Sequence, residues 1–312
     1  MDVSVVIPCY RSRETLPTLV RALTEVLDEA TDAHEIVLVV DGSPDDTGAV
    51  AVGLAEELDH VRVLLLSRNY GQHNALLAGI RAARFDVTVT MDDDLQHPPD
   101  QVPVLIAALA DHDLVYGIPE TEEHGVFRSL GSRSVKAALA QSGVPNARDV
   151  SAFRVFRTPL RDAFAEVHDP SCNIDVLLSW ATTSVASQKV RMERRPAGRS
   201  SYSVGRLVRH AFDMITGYSD GPLRLVTYLG FTCAILGVVL LGVVIVGFVG
   251  GKTTVAGFTT LASMVALFSG AQMLSIGILG EYLGRLHFRS MGRPSYVVAH
   301  EIDHAHDEHD RD

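Results

Sequence analysis

Cysteine is scarce in this chain. Only Cys9, Cys172 and Cys233 occur in 312 residues, far apart and without metal-ligand spacing. That argues against a disulfide framework or a structural zinc site, and it suits a reducing compartment. Positive charge is in deficit: 27 Lys and Arg stand against 38 Asp and Glu, a net charge of −11. A nucleic-acid-binding protein is therefore not expected. No G-x-G-x-x-G loop follows the first apolar run, and no G-x-x-x-x-G-K-[ST] occurs anywhere. Rossmann and P-loop nucleotide sites are both set aside. The first strand-like run begins almost at once, at Val3, so no signal peptide is expected.

Apolar length is not in short supply. Leu225 to Val249 runs for 25 residues without a charge, and Phe258 to Ile278 is a second long uncharged run. Each exceeds the roughly 20 residues that carry a helix across a bilayer. Two spans are expected, at 223–249 and 258–284, joined by a short external loop at 250–257. Basic residues crowd the approach to the first span, from Lys189 to Arg224, and Arg285, Arg289 and Arg293 follow the second. The connecting loop holds only Lys252. By the positive-inside rule the residues before the first span and both termini are expected to be cytoplasmic, in a multi-pass protein of the cytoplasmic membrane. Gly230, Gly237, Gly242, Gly270, Gly277 and Gly280 permit close helix packing, and so a homo-oligomer (dimer or tetramer), without requiring one. Residues 203–222 form a juxtamembrane segment. Its amphipathic part, 203–217, suits either an interfacial or a core-facing helix. Residues 285–312 are expected as a cytoplasmic tail, solvated from His300 onward despite its histidines.

Residues 1–202 form the soluble domain. Up to about residue 115, strand-like and helix-like patterns alternate. Strands are predicted at Val3–Ile7, Glu35–Val40, Val61–Leu66 and Val87–Met91, with helices at Thr15–Leu27, Asp45–Leu58 and His73–Ala83. Pro98 and Pro99 open a further helix. Another amphipathic helix is expected at 124–142. The βαβα order implies a mostly parallel sheet covered by helices on both faces. Ligands on such sheets bind beyond the carboxyl ends of the strands. Pro8-Cys9-Tyr10, Asp41 and Asp92–Asp94 all fall there.

Asp92, Asp93 and Asp94 directly follow the fourth strand. Three carboxylates in a row repel, and burial raises their pKa values unless a cation holds them ionised. In extended chain alternate residues point the same way, so Asp92 and Asp94 can converge on one ion while Asp93 faces elsewhere. Oxygen ligands suit Mg²⁺ or Mn²⁺, ions that commonly serve phosphates. A plain acidic turn on the surface is the alternative.

These residues resemble those of the family 2 glycosyltransferases, which have a GT-A fold. The matching segments are Val5-Val6-Ile7-Pro8-Cys9-Tyr10, Asp41-Gly42-Ser43 and Met91 to Pro99. The polyprenyl-phosphate branch is suggested by Arg68-Asn69-Tyr70-Gly71-Gln72-His73, Ser151-Ala152-Phe153-Arg154, Arg195-x-x-Gly198-x-Ser200-x-Tyr202, Gly277 to Arg285, and Arg293-Pro294-x-Tyr296. The resemblance implies an inverting transfer of sugar from a UDP- or GDP-linked nucleotide sugar to a polyprenyl phosphate of undecaprenyl or decaprenyl type. Asp41 would hold the nucleobase, with Pro8 and Tyr10 lining its pocket and Glu14, Asp92 and Asp93 nearby. Asp92, Asp94 and Gln96 would bind the metal. Asp94, Arg128 and Ser151 would be catalytic, the latter two at the acceptor phosphate, with Arg148 a further candidate. Arg195, Arg199, Ser200 and Tyr202 would lie near the diphosphate and lipid phosphate. The chain departs from the family pattern at Arg11-Ser12-Arg13, where Asn-Glu-Glu-like residues are usual, and at Asp93, where a small residue is common. A processive polysaccharide synthase is disfavoured, since the sole tryptophan, Trp180, is not in a Gln-x-x-Arg-Trp segment. A non-catalytic membrane scaffold is disfavoured by the intact acidic pair.

Overall fold

The computed structural model describes residues 1–120, 149–170, 172–193, 221–250 and 257–303. The chain divides into two units, Met1–Val208 with Gly292–Asp312, and Arg209–Met291.

The first unit is built on one eight-stranded sheet. Its strands are β1 (Asp2–Cys9), β2 (Ala33–Val40), β3 (Val61–Leu66), β4 (Val87–Thr90), β5 (Leu114–Pro119), β6 (Arg154–Arg157), β7 (Val185–Val190) and β8 (Val298–Ile302). The order across the sheet is β7-β5-β6-β4-β1-β2-β3-β8. β1 pairs in parallel with β2 and β4, and β2 with β3. β6 and β8 run antiparallel to their neighbours. The chain therefore moves outward from β1 through β2 and β3, then returns to the other side of β1 as β4. This reversal is the switch point at which open α/β sheets bind ligands.

Side-chain alternation sends β1 residues into two cores. Val3, Val5, Ile7 and Cys9 pack with helices α1 (Leu16–Ala30), α2 (Thr47–Glu57) and α4 (Val102–Ala108). Val6 packs with α3 (Gln72–Ala82) and α5 (Ile174–Ala181) on the opposite face. α1 buries Leu16, Leu19, Val20, Leu23 and Leu27, the spacing of one helical stripe. Full burial of each such side chain stabilises by about 1.5–3 kcal/mol. A Cβ on Gly79 of α3 would lie 2.3 Å from Val6 Cγ1, so the missing side chain sets how closely α3 sits on the sheet. Asn173 caps α5, its side chain accepting the N–H groups of Asp175 (2.9 Å) and Val176 (3.2 Å).

The expected solvated tail is corrected at 298–303. Val298–Ile302 is β8, antiparallel to β3 with His300 opposite Leu65, and it covers that sheet edge. Both faces of β8 are largely exposed, so no apolar alternation marks it in the sequence. Charge holds it in place. Buried Arg62 reaches Glu35 (2.8 Å), Glu301 (2.7 Å) and Asp303 (3.2 Å), and Arg84 also pairs with Asp303.

The second unit holds α6 (Gly221–Val249) and α7 (Phe258–Ser290), 29 and 33 residues long. α7 runs six residues past the expected end at 284. Apolar side chains stand exposed on both, among them Phe231, Val238, Val246 and Met273 at 68–72%. Among the described residues no helix is long and apolar enough to cross a membrane. The helices expected at 124–142 and 203–217 lie outside the described residues.

Candidate active site

The carboxyl ends of β1, β2 and β4 and the loop after β3 enclose a pocket of about 250 Å³. It is lined by Pro8, Cys9, Tyr10, Asp41, Asn69, Gly71, Gln72, Asp92, Asp93 and Asp94. Six residues singled out from the sequence (Pro8, Tyr10, Asp41, Asp92, Asp93 and Asp94) thus meet in one place.

Asp41 directly follows β2 and is buried. Its two carboxylate oxygens accept the backbone N–H groups of Tyr70 (2.6 Å) and Gly71 (2.8 Å). Burial raises its pKa, and those two hydrogen bonds pull it back. The close approach of the two loops depends on Gly42. Its φ is +55°, and a Cβ there would lie 2.2 Å from the carbonyl carbon of Arg68. Asp41 therefore shapes the pocket wall as well as facing the pocket.

The three acidic residues after β4 divide their hydrogen bonds. Asp92 accepts the Gln72 side-chain amide at 2.7 Å. Asp94 accepts the backbone N–H and the side-chain amide of Gln96, both at 3.0 Å. Asp93 accepts the Tyr10 N–H at 3.2 Å and the Ser12 hydroxyl. Burial raises the pKa of Asp93. Hydrogen bonds from Ser12 and Tyr10 oppose the shift, and the neighbouring Asp94 charge adds to it. Behind this run sits His97, stacked on Phe153 with ring centroids 5.0 Å apart. Its Nδ1 accepts the Asp92 N–H at 3.3 Å. Burial lowers its pKa to about 4. The Asp94 charge opposes that shift and the Arg154 charge reinforces it. The ring is neutral at pH 7 and acts as an acceptor beneath the acidic loop.

Other expected residues are placed differently. Glu14 does not line the pocket; it is exposed, 3.6 Å from Arg13. Ser151 accepts the Phe153 N–H at 3.2 Å and is not a lining residue. Gln96 is absent from the lining too, but it carries a second tie: its carbonyl accepts the Glu193 N–H at 2.9 Å. Arg128, Arg148, Arg195, Arg199, Ser200 and Tyr202 lie outside the described residues. Sequence reasoning gave no role to Asn69, Gly71, Gln72 or His97. The first three follow β3, a fourth strand end on the same rim, and that position was the available signal. His97 lies in the Met91 to Pro99 segment that carries the family resemblance, but nothing in that segment separates a buried histidine from any other loop residue.

Among the described residues no group of three or more His, Cys, Asp and Glu is arranged to hold a metal ion. Asp92 and Asp94 line the pocket beside Asp41 and Asp93, and Asp93 is tied to the β1 loop. This suits a hard cation that takes one or two protein carboxylates and fills its other positions from water and phosphate oxygens.

Comparison with known proteins decides the family. The family described as Glycosyl transferase family 2 matches residues 4–158. Curated relatives match over nearly the whole chain. Undecaprenyl-phosphate 4-deoxy-4-formamido-L-arabinose transferase of Sodalis glossinidius (strain morsitans) is 35% identical, over 95% of this chain and 92% of its own length. The protein of the same name from Enterobacter sp. (strain 638) is 34% identical over the same shares. The chain belongs to glycosyltransferase family 2. Solved structures of glucosyl-3-phosphoglycerate synthase from Mycobacterium tuberculosis share its fold. One, in complex with Mn²⁺, UDP and phosphoglyceric acid, gives a TM-score of 0.50 at 18% identity, covering 69% of this chain and 76% of that one. Another, with phosphoglyceric acid, gives 0.52 at 20% identity, covering 69% and 79%. The fold of this family 2 glycosyltransferase is thus GT-A, with a mixed, mostly parallel sheet.

Proposed function

We propose that this family 2 glycosyltransferase moves a sugar from a nucleotide-sugar donor to a polyprenyl phosphate at the cytoplasmic face of a membrane, with inversion at the anomeric carbon. The observation that carries this reading is the acidic pocket at the β1/β4 switch point, in a chain matched over nearly its whole length by relatives named as undecaprenyl-phosphate transferases.

The donor lies in the pocket, its base against Pro8, Tyr10 and Asp41 and its diphosphate toward Asp92 and Asp94. Those two carboxylates, with Gln96, would hold Mg²⁺ or Mn²⁺, and the bound ion would supply charge neutralisation to the leaving diphosphate. The C1–oxygen bond to the diphosphate breaks, and the leaving group keeps the electron pair. A lipid-phosphate oxygen forms the new bond to C1 from the opposite side. The acceptor phosphate has a second pKa near 6 and is largely dianionic at pH 7. It needs orientation by cationic groups more than it needs a base. Arg128, Ser151, Arg148, Arg195, Arg199, Ser200 and Tyr202 are assigned to the acceptor and diphosphate. Support for the last four comes from the bond between Glu193 and Gln96, two residues before Arg195.

α6 and α7 are assigned as membrane spans. α6 is 29 residues long and contains all 25 uncharged residues from Leu225 to Val249, more than the roughly 20 that a bilayer crossing needs. Contiguous exposed apolar surface of this kind is rare on soluble monomers. Residues 203–222 are assigned to the interface, and 250–257 to a short external loop.

The test is transfer itself. Purified full-length protein is placed in vesicles containing undecaprenyl phosphate, with Mn²⁺ or Mg²⁺ and a panel of radiolabelled UDP- and GDP-sugars. One donor should yield an organic-extractable labelled lipid that EDTA abolishes. No labelled lipid from any donor would refute the proposal.

A further inference from the structure

Asp92, Asp93 and Asp94 are consecutive, and the middle carboxylate reaches across to the β1 loop. Asp93 Oδ2 crosses to the end of β1, where it accepts the Tyr10 N–H at 3.2 Å and the Ser12 hydroxyl. The Tyr10 N–H also lies 3.1 Å from Ser12 Oγ, so three groups close a small ring. Ser12 is buried, and its own N–H is held by Thr47 Oγ1 at 2.9 Å. The Arg11 N–H between them is held by Ser43 Oγ at 2.9 Å.

Backbone strain points to the same junction. Among the described residues, two that are not glycine adopt a left-handed backbone: Arg11 and Leu95, each with φ of 60°. One lies in the β1 loop and the other in the β4 loop, and Asp93 joins the two loops. Such conformations persist where the surroundings over-determine them. The hydrogen bonds around Ser12 and Asp93 do so on the β1 side, and the turn closed by Asp94 and Gln96 does so on the β4 side. The result on the pocket is direct. Tyr10 is a lining residue whose side chain remains partly open to solvent, and its backbone N–H is what Asp93 holds. The two departures from the family pattern, at Arg11–Arg13 and at Asp93, turn out to touch.

We propose that Asp93 is a positioning residue for the donor. Paired with Ser12, it fixes the Tyr10 wall relative to the rim that carries Asp92 and Asp94. It governs nucleotide binding and leaves cation binding to its neighbours. This rests on the donor pocket proposed above.

The test is a double-mutant cycle on the detergent-solubilised full chain. UDP and GDP are titrated by calorimetry in Mn²⁺, and Mn²⁺ alone is titrated by electron paramagnetic resonance. The loss of a hydrogen bond to a charged group predicts about a tenfold rise in nucleotide Kd for Asp93→Ala. The Mn²⁺ midpoint should stay within about twofold, the scale of a minor contact. Asp93→Asn keeps an acceptor oxygen and should recover most of the affinity. Ser12→Ala should weaken binding on its own but change little in the Asp93→Ala background, because the shared bond is already gone. If Asp93→Ala does not fold, the same cycle is run with Asp93→Asn in its place, whose weaker bond must still be non-additive with Ser12→Ala. Additive effects, an unchanged nucleotide Kd, or a collapse of Mn²⁺ binding would each overturn the inference. Wild-type protein that bound neither UDP nor GDP would overturn the donor pocket itself.

Discussion

Replacing His97 with phenylalanine separates two contributions of one ring. Phenylalanine keeps the stacking on Phe153 but removes the Nδ1 that accepts the Asp92 N–H. Loss of that acceptor should destabilise the sheet unit at pH 7 by about 1–3 kcal/mol. Acid works the other way. The folded pKa of His97 is about 4, against an ordinary 6.5, because burial disfavours the imidazolium. Between those values the unfolded chain binds more protons than the folded one. The stability from the neutral ring is therefore complete above pH 6.5 and is lost as pH falls toward 4. Between pH 7 and 4.5 the wild type should lose about 2 kcal/mol that His97→Phe does not lose. The carboxylates titrate in both proteins, so the difference isolates the ring. Trp180 is the sole tryptophan and lies on α5 in the sheet unit. Its fluorescence during urea unfolding in detergent and EDTA follows that unit alone. Wild type should lead at pH 7 and the gap should close or reverse by pH 4.5. A gap constant across that range would refute a buried neutral histidine.

Asp94→Asn should lower sugar transfer by about 100-fold or more, the scale of losing one electrostatic group at a developing charge, with the Trp180 unfolding midpoint unchanged. Full activity in that variant would remove Asp94 from the metal. Arg62→Met strands buried Glu35 and releases Glu301 and Asp303. It should cost about 3–5 kcal/mol in urea unfolding, and a loss under about 1 kcal/mol would show that the network is solvated. Gly42→Ala sets a Cβ 2.2 Å from Arg68 backbone at a φ of +55°. It should displace the Tyr70–Gly71 loop and abolish nucleotide binding measured by calorimetry, whereas wild-type affinity would mean that the loop yields freely.

The first half of the sheet was legible because its strands send apolar side chains into two cores and α1 carries one apolar stripe. β3 was placed to the residue, and β1, β2, α1, α2 and α3 to within a few residues at each end. The strand-end rule then located the pocket before any geometry was known. The later strands were harder. β6 is four residues long and carries two arginines, one of them buried against Asp175. β8 is an edge strand exposed on both faces and held by ion pairs, so its sequence reads as tail. Asp93 shows a similar limit within the site. Alternation predicts that it faces away from Asp92 and Asp94, yet all three line one pocket. Its partner Ser12, 81 residues earlier, was beyond any local pattern.

The most direct measurement of the central claim is the identity of the nucleotide released during lipid glycosylation. Transfer onto a lipid phosphate predicts a nucleoside diphosphate, equimolar with a lipid that carries its sugar through a single phosphate. Release of a nucleoside monophosphate with a diphosphate-linked lipid, or of free sugar without any lipid product, would contradict it.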